Sequence, residues 1–105
     1  MHTIEKMDET LATLEQLARS AILASRNALS LPQNASLSEE IRATSNTAIE
    51  LLAYAEVGQW ASVEADKCKA FDRAVDLARK LGDCTGWMKI PIDDLGFLHA
   101  PHGKQ

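Results

Sequence analysis

Three stretches of the chain repeat apolar or small residues at alternating steps of three and four, and no other feature narrows the fold so far. The first runs Ile4, Met7, Leu11, Leu14, Ala18, Ala21, Ala28. The second runs Leu37, Ile41, Thr44, Ala48, Leu51, Ala55, and the third Trp60, Val63, Ala70, Ala74, Leu77, Leu81. A helix turns once in about 3.6 residues, so each series lies along one side of a helix and must be buried against something. Together they hold about half of the large apolar residues before Gly82. The spacing therefore predicts an all-α fold, a three-helix antiparallel bundle over residues 1–83, with an intermolecular coiled-coil-like assembly as the rival.

A chain of 105 residues has room for one domain, and at that size much surface stays exposed unless the chain packs well or self-associates. A homodimer is therefore expected. Hydrophobic residues make up 46% of the chain but aromatics only 5%, so the few large side chains must supply much of the burial. Trp60, Phe71 and Leu77 are the expected core anchors. In this arrangement Trp60 follows a glycine hinge and staples the second helical hairpin to the core.

The element boundaries follow from local signals. Thr3 is placed to cap the first helix, with Glu5, Asp8 and Glu9 complementing its positive end. Pro32 forces the helix to stop before it, leaving about 27 residues and about 40 Å of helix. Residues 31–38 form a loop in which Ser36 and Glu39 have the spacing of a capping box, with Ser38 as the rival cap. The second helix runs to Val57. Gly58 is read as its left-handed terminator, with a tight turn over residues 57–59 and Trp60 in the first turn of the third helix. Leu81-Gly82-Asp83 repeats the stop signal. Residues 84–105 change character: glycines and prolines mix with Trp87, Met88, Ile90, Ile92, Leu95, Phe97 and Leu98. That composition is too apolar for a simple disordered tail, so an irregular segment packed on the bundle or on a partner is expected. No internal repeat or low-complexity segment is read.

Charge excludes some functions. The formal net charge is −4, from 11 basic and 15 acidic side chains of interspersed sign, and no clustered basic face is available to neutralise phosphates. Lys67, Lys69, Arg73, Arg79 and Lys80 alternate with Asp66, Asp72 and Asp76, which reads as a solvated, salt-bridged face. Nucleic acid is thus not an expected partner. No apolar run approaches the roughly 18 to 20 residues needed to span a bilayer, so no membrane partner is expected either. His2, Thr3 and Glu5 do not resemble the basic start of a signal peptide. Cys68 and Cys84 are accordingly expected to be free thiols in a reduced, cytoplasmic protein.

No residue pattern announces catalysis. Cys68, Cys84, His99 and His102 could complete a tetrahedral zinc site in principle, but a close cysteine pair is missing and Cys68 falls in mid-helix. A nucleophilic Cys68 would need a converging base, and Lys67 and Lys69 point away from it as adjacent helical residues. The pairs Glu39-Glu40 and Asp93-Asp94 sit where helix starts favour acids. No glycine-rich phosphate loop follows a strand. Neither a cofactor nor a metal is expected. The candidate partner-binding residues are instead Trp87, Met88 and Phe97 in the C-terminal segment, together with Ile22 and Leu29. The latter two, with Leu17, form a second edge beside the first helix's stripe. The competing expectation for the aromatic cluster is that it closes the open end of the chain's own bundle.

The run Leu51-Leu52-Ala53-Tyr54-Ala55-Glu56-Val57-Gly58-Gln59-Trp60-Ala61-Ser62-Val63-Glu64 resembles the helical hairpin of FliT-type flagellar export chaperones. In that hairpin an alanine- and leucine-rich helix meets a glycine, a polar residue and a tryptophan. The likeness covers residues 37–81; the long first helix precedes the hairpin here instead of following it, and the helices expected after it are replaced by the glycine-proline segment. What the resemblance implies is a small cytoplasmic helical chaperone or adaptor that holds a partner helix in an apolar groove. The expectation is thus a non-enzymatic interaction protein working by helix-in-groove recognition. The alternatives are a small-ligand or metal-binding bundle and a structural subunit of a larger assembly.

Overall fold

The computed structural model describes residues 3–87. Three helices follow one another: α1 over Ile4–Leu29, α2 over Ser38–Trp60 and α3 over Glu64–Asp83, with a 3₁₀ helix over Pro32–Leu37 between the first two. The all-α bundle is as the stripes predict. Thr3 caps α1, its hydroxyl accepting from the Lys6 amide at 3.1 Å. At the other end Asn34 Nδ2 donates to the Ala28 carbonyl at 3.0 Å, and Ser30 Oγ donates to that of Asn27 at 2.7 Å. Two of the carbonyls orphaned at a helix end are satisfied in this way.

The expected capping box at the start of α2 does not form. The 3₁₀ helix runs straight into α2, so its own carbonyls take the free amides; that of Ser38 bonds to Ala35. Leu37 stands at the cap position with no side-chain bond.

Along α1 the core takes Met7, Leu11, Leu14, Leu17, Ala18 and Ala21, and along α2 Ile41, Ala48, Leu51 and Ala55. From α3 come Ala70, Phe71, Ala74, Leu77, Ala78 and Leu81. The buried positions share one register. Leu11, Leu14, Leu17, Ala18 and Ala21 recur thirty residues on as Ile41, Thr44, Thr47, Ala48 and Leu51. Thirty further on they recur as Phe71, Ala74, Leu77, Ala78 and Leu81. Alanine at 18, 48 and 78 lets the backbones approach closely. α2 packs along both neighbours, whereas α1 and α3 meet at few places. The result is a flattened molecule, 45 × 30 × 15 Å along its principal axes.

Four expectations around the α2–α3 connection are corrected. Gly58 does not end α2. It is buried inside the helix, where a Cβ would stand 2.7 Å from Leu11 Cδ1 and 3.3 Å from Ala70 Cβ. Glycine serves there because α1 and α3 crowd α2 at this position, with no left-handed backbone. The turn falls later, at residues 61–63, where Ala61 and Val63 are extended. Trp60, expected to staple the core, is 85% exposed, and Val63 is exposed as well. Lys67, expected on a solvated face, is buried.

Candidate protein-binding edge

The edge begins with the geometry of α2's last turns. Because Ala55 and Gly58 face inward, Tyr54, Val57 and Trp60, at steps of three, are carried round to the outer side. The chain then turns through Ala61 and Ser62, and the first turns of α3 present Asp66, Lys69 and Ala70 to the same space. Together these eight residues line an open groove of about 600 Å³. Its apolar floor is aromatic on one side, and its rim carries one acid and one base. The guanidinium of Arg73 stands 5.9 Å from the centre of the Tyr54 ring and 3.8 Å from Glu50, which steadies the ring from α3.

Behind the edge, polar groups fix the end of α2. Lys67 Nζ donates to the Gly58 carbonyl at 2.6 Å and to Asp8 Oδ1 at 2.6 Å, so one ammonium joins all three helices. The Gly58 carbonyl lies in the last turn of α2, where no amide of the helix can reach it and a cation is favoured. Beside it, Gln59 Nε2 donates to Glu15 Oε1 at 2.8 Å. Arg19 bridges Glu15 at 2.8 Å and Glu56 at 3.1 Å. The hydrogen bond from Arg19, with that from Gln59, holds the Glu15 carboxyl below its ordinary value, and the same pairing holds Arg19 above its own.

Comparison with protein-family models, curated proteins and solved structures found no match to this chain.

Of the partner-binding residues expected from the sequence, the described ones, Ile22, Leu29 and Trp87, do not line this edge. Trp87 is half-buried at the opposite end of the molecule, its indole N–H donating to Thr44 Oγ1 at 2.8 Å. Thr44, wholly buried, donates its own hydroxyl to the Cys84 carbonyl at 2.6 Å, nearer than the Glu40 carbonyl of its own helix at 3.1 Å. The chain leaving α3 is thereby tied back to α2, and Trp87 packs within the fold. Ile22 is half-buried against the core and Leu17 is wholly buried, which leaves Leu29 as the exposed member of that second edge. Met88, Phe97, His99 and His102 lie outside the described residues. Cys68 and Cys84 are free and half-buried, and no metal-competent cluster of His, Cys, Asp or Glu occurs among the described residues. No described helix is long and apolar enough to cross a membrane. Tyr54 and Val57 were missed, although their spacing to Trp60 is the helical signal that would have found them.

Proposed function

We propose that this chain is a non-enzymatic interaction protein that receives an apolar helix of a protein partner along the Tyr54–Val57–Trp60 edge. The observation that carries this reading is Trp60, a large aromatic side chain 85% exposed on the wall of an open groove. Tryptophan and tyrosine supply much of the binding energy at protein interfaces, because each buries a large area at small entropic cost. Val57 adds a third apolar contact in the same row, and Asp66 and Lys69 provide a polar rim. A cytoplasmic chaperone or adaptor of the kind its hairpin resembles, acting as a homodimer, falls within this reading.

Photo-crosslinking tests it. A photoreactive residue replacing Ser62, which lines the groove beside Trp60, should form protein adducts in cells, while the same residue at the exposed position Arg79, away from the groove, should form few. Equal labelling from both positions would remove the edge as a binding surface.

A further inference from the structure

The groove carries a second kind of information in its charges. Asp66 and Lys69 both line it, one helical turn apart on α3. Neither has an ion pair or hydrogen-bond partner among the described residues, whereas Glu15, Arg19, Glu56, Lys67 and Arg73 all do. One free acid and one free base on the same rim cancel locally, so the patch does not favour a strongly charged partner in either sense. Such a patch is complementary to itself. A two-fold axis that reverses α3 sets each acid opposite the other copy's base, and two equal ion pairs result.

Resting on the reading of this edge as a protein-binding surface, we propose that its partner is a second copy of this chain. The two α3 helices cross antiparallel about the axis, with Asp66 of each chain facing Lys69 of the other. Trp60 of each copy then seats in the other's groove, which covers the most exposed aromatic of the described residues on both chains at once. An aromatic centre within a polar rim is the usual composition of such an interface. The arrangement differs from a dimer through Ile22 and Leu29, because it leaves α1 outside the contact.

Sedimentation equilibrium of the full chain, with a pair of charge reversals, decides the matter. The wild-type chain should associate to a dimer. Trp60→Ala should abolish association, and Lys69→Asp should weaken it about tenfold, since it places like charges together twice. The double variant Asp66→Lys with Lys69→Asp should recover most of that loss, because the swap restores both pairs about the axis. Far-UV circular dichroism confirms that each variant keeps its helices. A wild-type chain that stays monomeric at hundreds of micromolar, or a double variant no better than the single one, overturns the proposal. The crosslinking from position 62, with Trp60 intact, separates this from failure of the broader reading. Adducts of twice the chain's mass support self-association. Adducts with other proteins alone overturn it and keep the edge as a binding surface, and no adduct sinks both.

Discussion

An ammonium whose side chain is only 7% exposed must find acceptors within the protein, and Lys67 finds the Gly58 carbonyl and Asp8. Lys67→Met keeps most of the volume but leaves that carbonyl without a donor, so urea unfolding should show a loss of about 1–3 kcal/mol. Asp8→Asn should cost less, because the amide oxygen still accepts and residue 8 is half exposed. A Lys67→Met protein as stable as wild type would mean that water serves the carbonyl equally well. Glu15 makes a prediction about pH. Its carboxyl is held below the ordinary value of 4.5 by Arg19 and Gln59, so its contribution is fully present above that value and fades as pH falls through the lower folded one. The stability gap between wild type and Glu15→Gln should therefore close on acidification from neutral pH; a gap that is constant or widens toward acid contradicts the pairing. At this scale the sequence was hard to read. Lys67 sits among charges that suggest a solvated face, yet stepping back from Ala74 and Ala70 by four and three lands on it. The third series as read passes over position 67, so residue type, and not spacing, decided its placement.

The same counting explains α2. Ile41, Thr44, Ala48, Leu51 and Ala55 are buried as the spacing predicts, and the next step of three falls on Gly58. Glycine there continues the stripe at the position where Leu11 and Ala70 leave no room for a side chain, and reading it as a stop displaced the turn by several residues. That displacement also turned Trp60 inward on paper, although two residues beyond a buried position is nearly the far side of a helix. Gly58→Ala sets two effects in opposition. Alanine favours a helix interior by about 1 kcal/mol over glycine. The added methyl must also displace the fully buried Leu11, and overpacking of that kind costs about 1–3 kcal/mol. Thermal or urea unfolding should show a net loss of about 1 kcal/mol, and a more stable variant would show that Leu11 yields freely. The missing capping box has a simpler origin. Spacing identifies a possible cap, but not that a 3₁₀ helix would already occupy the amides.

Across the whole molecule, α2 is the element on which the other two rest, and the flattened shape follows from α1 and α3 touching so little. Stripes identify which sides are buried and so made the bundle legible; they do not say which helix lies in the middle, because that depends on how closely pairs approach. The candidate edge was illegible for a related reason, since an exposed aromatic and a buried one look alike until the turn is placed. Its energetic signature is distinct. A buried tryptophan cut back to alanine would cost about 3–5 kcal/mol, whereas Trp60→Ala, studied dilute enough to be monomeric, should change stability by no more than about 0.5 kcal/mol. A loss of several kcal/mol would place the ring in the core after all. The two tryptophans stand at opposite ends of the molecule, Trp60 open to solvent and Trp87 bonded to Thr44. The chain therefore carries two optical reporters with separate duties. Iodide should quench Trp60 emission and spare much of that from Trp87, so closure of the edge and release of the segment after α3 can be followed independently in one unlabelled sample.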